Sequence, residues 1–136
     1  YTYSNGYLSR ITYTYYENVD GEWVKDETEE MDEFSVAGGN LSKFVYRYGS
    51  EVDEVTVEAS STPNNMNLDY LYDQWLGSES EFLLCIAGKR YQNLPARITG
   101  EGYARTYEYT VDGDGYVTKA VEKNGNQINT YRFYYE

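Results

Sequence analysis

Tyr1-Thr2-Tyr3-Ser4-Asn5-Gly6-Tyr7-Leu8-Ser9-Arg10-Ile11-Thr12-Tyr13-Thr14-Tyr15-Tyr16 opens the chain, and its reading decides the fold. Tyrosine recurs at alternate positions in Tyr1-Thr2-Tyr3 and again in Tyr13-Thr14-Tyr15. Period two is the strand period, because successive side chains leave a strand on opposite faces. Asn5-Gly6 supplies the positive φ that a primed two-residue turn needs. The stretch therefore predicts two antiparallel strands, a tight hairpin between them, and a face rich in tyrosine.

The same spacing returns in Tyr46-Arg47-Tyr48, Tyr107-Glu108-Tyr109 and Tyr131-Arg132-Phe133-Tyr134-Tyr135, and 18 of the 136 residues are tyrosine. Turn signals at Asp20-Gly21, residues 37–40, 49–53, 112–115 and 124–126 separate further strands, expected over 23–34, 41–48, 54–59, 96–99, 103–111, 116–123 and 127–135. Residues 60–67 read as a loop rich in Ser, Thr, Pro and Asn. Residues 89–95 read as a connector, because proline cannot donate to a central ladder. Leu68, Leu71, Tyr72, Trp75 and Leu76 fall at helical spacing. Residues 68–87 are thus expected to form a helical insert, split at Gly77 and stopped by Gly88. The expected architecture is mainly β: one domain over 1–136, a strongly curved antiparallel meander or partly open barrel of about nine strands with one helical insert covering its tyrosine-lined face.

Composition narrows function mainly by exclusion. The net charge is −12, with 23 acidic and 11 basic residues. That opposes nucleic acid and anionic lipid headgroups, both of which need basic surfaces. Histidine is absent, which removes the commonest general base and the commonest transition-metal ligand. Cys85 is the single cysteine, set in the apolar run Phe82-Leu83-Leu84-Cys85-Ile86-Ala87, and reads as a buried thiol. No apolar run is long enough for a membrane helix, which needs about 18 residues. The chain starts at Tyr1 rather than methionine, so it reads as processed or trimmed, with any signal or lipid-attachment segment lying upstream.

Tyr-x-Tyr followed by Asn5-Gly6-Tyr7-Leu8-Ser9-Arg10-Ile11 is joined downstream by Gly88-Lys89-Arg90-Tyr91-Gln92-Asn93-Leu94-Pro95-Ala96-Arg97-Ile98. Tyr107-x-Tyr109, Asp112-x-Asp114-Gly115-Tyr116-Val117 and Tyr131-x-Phe133-x-Tyr135 close the pattern. Together these segments resemble a group of Bacteroidetes envelope lipoproteins, a domain of unknown function with a porin-like fold. The Gly-Lys to Asn-Leu-Pro segment is its more specific part, since Tyr-x-Tyr and Asp-Gly hairpins also occur in YD-repeat proteins. The resemblance implies a lipid-anchored envelope location, in the outer membrane or periplasm, and a curved sheet or half-barrel. It implies no catalytic residues.

Each candidate site also has a plain structural role. The run Asp26-Glu27-Thr28-Glu29-Glu30-Met31-Asp32-Glu33 holds six carboxylates in eight residues. It suits calcium by ligand type, but also suits a charged strand that discourages edge pairing, and alternation sends its members to opposite faces. Asp112-Gly113-Asp114-Gly115 starts like a calcium loop, yet its twelfth position is Lys123, so it reads as a hairpin turn. No metal site, cofactor or catalytic residue is assigned, and the chain reads as non-enzymatic. The candidate ligand-binding residues are Tyr13, Tyr15, Trp75, Tyr107 and Tyr109, whose rings suit a hydrophobic or lipid-like guest, or a glycan. A third reading makes the same residues the filled core of a structural or assembly module.

Overall fold

The computed structural model describes residues 1–65 and 88–135. Nine strands follow one another: β1 (Thr2–Ser4), β2 (Tyr7–Val19), β3 (Glu22–Ala37), β4 (Asn40–Tyr48), β5 (Glu51–Pro63), β6 (Asn93–Gly100), β7 (Tyr103–Val111), β8 (Val117–Asn124) and β9 (Gln127–Arg132). They form one sheet in sequence order, every neighbouring pair antiparallel. Among the described residues β1 and β9 do not pair, so the sheet is not closed into a barrel, and there is no helix. The expected insert over 68–87, with Trp75 and Cys85, lies outside the described residues.

The turns use the residues that the sequence marks. Asn5 and Gly6 both take positive φ (52° and 85°), as do Asp20 and Gly21 (53° and 91°) and Gly38 and Gly39 (56° and 80°). A pair of positive φ values matches the right-handed twist of the flanking strands. We expect Gly6→Val to lower stability by about 1–2 kcal/mol, because a β-branched residue resists the left-handed region. Unchanged urea unfolding in that variant would refute the turn's role. Asp112 shapes the β7–β8 hairpin in another way: its Oδ1 accepts from the amides of Asp114 (3.0 Å) and Tyr116 (2.9 Å). The hairpin reading of that segment holds, and its first carboxylate serves the turn.

Several segments differ from their sequence reading: residues 51–53, expected within a turn, extend β5, and β9 ends at Arg132, short of the strand expected to run to 135. Residues 60–63, expected as loop, belong to β5, and residues 93–95, expected as connector, belong to β6. The ladder between these strands shifts register between Glu58 and Ala59 and again before Pro63. Pro95 sits opposite Ala59 at that irregularity, where a missing amide donor costs the ladder least. Its carbonyl is used by the next strand, accepting from the Tyr109 hydroxyl at 2.7 Å.

Residues facing each other across a ladder share a face, so the registers sort the side chains. One face carries the core: Ile11, Met31, Phe44, Val55, Val57, Ile98, Tyr107 and Ala120 are all buried, joined by Leu8, Leu41 and Tyr91. The opposite face carries ion pairs, among them Lys43 with Glu54, and Lys123 with Glu108 at 2.5 Å. Asp32, also on that face, is held by Arg47 Nε at 3.2 Å and Arg10 Nη2 at 3.6 Å. A bulge between Asp32 and Ser35 accompanies that cluster and puts Glu33 at φ 53°.

One end of the core face is crossed by residues 88–92. The Lys89 amide donates to Gly6 O at 2.7 Å, the Gln92 amide to Gly39 O at 3.0 Å, and the Asn64 amide to Gln92 O at 2.8 Å. Asn40 completes the seam, accepting from the Asn93 amide at 2.7 Å. Tyr91 enters the core from this segment and stacks on Tyr7, with ring centroids 5.7 Å apart and planes 6° apart. Lys89 Nζ lies 4.9 Å from the centre of the Tyr7 ring. The segment thus ties the β1–β2 and β3–β4 turns to the start of β6.

Candidate functional site

Along the strands the core face changes character in a consistent direction. On β2, Ile11 gives way to Tyr13; on β3, Met31 to Glu29; on β4, Phe44 to Tyr46 and Tyr48; on β5, Val55 to Asp53 and Glu51. On β7, Tyr107 gives way to Arg105; on β8, Ala120 to Glu122; on β9, Tyr131 to Asn129. Each change runs away from residues 88–92, toward the end that carries the turns at Asp20-Gly21, Gly49-Ser50, Glu101-Gly102 and Gly125-Asn126. The face therefore has an apolar tier and a polar tier. Hydrophobic burial explains the first. The second concentrates groups that need polar partners or water.

The polar tier is built from tyrosine hydroxyls set against carboxylates. Tyr15 donates to Glu29 Oε2 at 3.1 Å, Tyr48 donates to Glu27, and Tyr103 donates to Asp53 Oδ2 at 3.1 Å. Asp53 also accepts from the Glu101 amide at 2.7 Å. On the far side, Glu122 is buried, accepts from Asn129 Nδ2 at 3.0 Å, and lies 3.8 Å from Arg105 Nη1. Glu27, Glu29, Glu51, Asp53 and Glu122 are the tier's carboxylates, and Arg105 is the one guanidinium among its described residues.

The phenols register that negative surrounding. The hydrogen bond to Glu27, reinforced by its charge, pushes Tyr48 up to about 12. Burial raises Tyr103 further, helped by the charge and hydrogen bond of Asp53. Tyr46 is raised by burial and then by Glu29. A tyrosine whose folded pKa is raised favours the fold fully below its unfolded value near 10 and loses that contribution as pH climbs through the folded value. Stability should therefore fall from about pH 10 upward, through about 12 as Tyr48 titrates and beyond it as Tyr103 follows. Urea unfolding across that range checks the direction, and a flat profile would contradict it.

Gly100 makes the Tyr103 contact possible. A Cβ there would overlap the Tyr103 hydroxyl and stand 2.7 Å from Asp53 Oδ2. Gly100→Ala is expected to displace Tyr103, bring its ionisation back toward pH 10 and cost about 1–3 kcal/mol. Ultraviolet titration of phenolate absorbance checks the first effect and urea unfolding the second. A titration curve identical to that of the parent would disprove the contact.

The sequence candidates fall in different places. Tyr13 is half-buried where the tiers meet, opposite Glu29, and Tyr15 is exposed in the polar tier. Tyr107 is buried in the apolar tier and stacks on half-buried Tyr109, with centroids 6.5 Å apart and planes 9° apart. Trp75 lies outside the described residues. Alternation divides the acidic run as expected: Glu27 and Glu29 share the core face with Met31, while Glu30 and Asp32 point the other way. Tyr46, Tyr48, Asp53, Tyr103 and Glu122 were not among the sequence candidates. The alternation Tyr46-Arg47-Tyr48 marked a face, but only strand register reveals which carboxylates oppose it.

Compared with protein-family models and with curated proteins, the sequence matches none. Among solved structures, the fold is similar to the crystal structure of a porin-like protein from Bacteroides uniformis. The TM-score is 0.51 with 14% sequence identity, over 90% of this chain and 56% of that one. The chain thus spans little more than half the length of that protein. At this identity the likeness is one of fold alone, and it is to a porin-like fold; this chain contributes nine antiparallel strands in one sheet among its described residues.

Proposed function

We propose that the chain is a non-enzymatic binding domain of the cell envelope that takes a neutral glycan on the polar tier of its core face. The observation that carries this reading is the set Tyr15, Tyr46 and Tyr48 lying among Glu27, Glu29, Glu51 and Asp53. Tyrosine rings stack on the C–H faces of sugars, and carboxylates accept from sugar hydroxyls. The excess of carboxylates over Arg105 disfavours acidic sugars and fatty acids. A hydrophobic guest has less support, because Ile11, Phe44, Val55 and Ile98 are each 1–3% exposed and pack on one another. The envelope location and the lipoprotein kinship rest on the sequence resemblance together with the porin-like fold.

Isothermal titration with neutral oligosaccharides of several linkages, beside a long-chain fatty acid, tests the reading. Binding of one oligosaccharide, weakened at least about tenfold by Tyr48→Ala, is the expected result. Binding of the fatty acid alone, or sugar binding indifferent to Tyr48→Ala and Tyr15→Ala, would overturn it.

A further inference from the structure

Past the pair Thr14↔Thr28, β2 and β3 run on with no third strand beside them among the described residues. β4 pairs with β3 only as far as Glu29↔Tyr48, and β1 pairs with β2 only as far as Arg10. The outer ribbon keeps its own register, Tyr16↔Lys25, Glu17↔Val24, Asn18↔Trp23 and Val19↔Glu22. A two-stranded ribbon of this kind is marginal in water and gains little from apolar side chains that nothing covers. Yet Trp23 is 71% exposed, Tyr16 58%, Val24 49% and Val19 46%. Tyr16 and Trp23 share one face of the ribbon with Lys25, its single cation, while Val19 and Val24 share the other with Glu17 and Glu22, and Asp20, Asp26 and Glu27 add to the ribbon's acidic charge.

We infer that this ribbon is a docking arm for a partner protein bearing an apolar pocket rimmed by lysine and arginine, with Trp23 as the anchor. Tryptophan is among the residue types that most often dominate binding energy at interfaces. The acidic residues select the rim by charge complementarity and speed encounter with it. The same charges disfavour the other occupants. A second copy of this chain brings another −12, and an anionic membrane surface repels the arm. A neutral bilayer would have to take in Asp20 and Glu22 beside Trp23, at high desolvation cost.

The test places a photo-crosslinking amino acid at position 23 of the intact protein in cells that make it naturally, with a second probe at Ile128, which is 64% exposed on β9. The expected result is one protein adduct from position 23 whose crosslinked peptide lies in a basic surface, and none of it from position 128. With the purified partner, Glu17→Lys with Glu22→Lys should weaken binding at least about tenfold, and Trp23→Ala at least as much. Circular dichroism confirms that these variants remain folded. Lipid adducts alone, adducts to this chain alone, the same adduct from both positions, or affinity unchanged by charge reversal would overturn the inference.

Discussion

Gly88→Ala should lower stability by about 2–4 kcal/mol, although it adds a single methyl group. Its Cβ would stand 2.5 Å from Gly6 O and 3.1 Å from the Tyr3 ring, and the residue holds φ at 71°. The near neighbour is backbone, which cannot swing aside as a side chain can. To relieve the contact, residues 88–92 must withdraw, and the Lys89 amide then loses Gly6 O. Gly102→Ala is the matched control. It has a similar φ of 75° but nothing within 4 Å of the new Cβ, so only the conformational cost of about 1–2 kcal/mol applies. Urea unfolding of both variants separates steric from conformational cost. Equal losses would show that the crossing segment does not bear on the β1–β2 turn.

Ile98→Ala should be at least as damaging, at about 2–5 kcal/mol. Ile98 is 1% exposed, lies opposite Val57, and belongs to the cluster containing Ile11, Phe44 and Val55. Truncation removes its transfer energy and leaves a cavity where neighbours from several strands meet. Ile128→Ala, exposed on β9, should change stability by no more than about 0.5 kcal/mol. Comparable losses in the two variants, again by urea unfolding, would contradict the assignment of the core to the apolar tier, since Ile128 lies opposite Lys123 on the other face.

Much of this architecture was legible in the residues themselves. Asn5-Gly6 and Asp20-Gly21 named their turns, and alternate tyrosines named the strands between them, because both signals are local. Strand ends were less legible. Pro95 argued against a strand until its partner was known, since only the register slip opposite Ala59 makes a proline tolerable there. The polar tier was hidden for a related reason. Tyr48 and Glu29 are far apart in sequence yet directly opposed across β3 and β4, and no local pattern records that register. Tyr107 and Tyr109 had the same signature as Tyr13 and Tyr15, but the first pair falls on the apolar side and Tyr15 on the polar one.

The two-tier face is tested most directly by fluorotyrosine NMR of the intact chain with a soluble paramagnetic probe. Strong broadening is predicted for Tyr15 and Tyr48 and little for Tyr91 and Tyr107, with shifts confined to the first pair when a bound oligosaccharide is titrated in. Equal broadening of all four rings, or ligand shifts centred on Tyr91 and Tyr107, would contradict it.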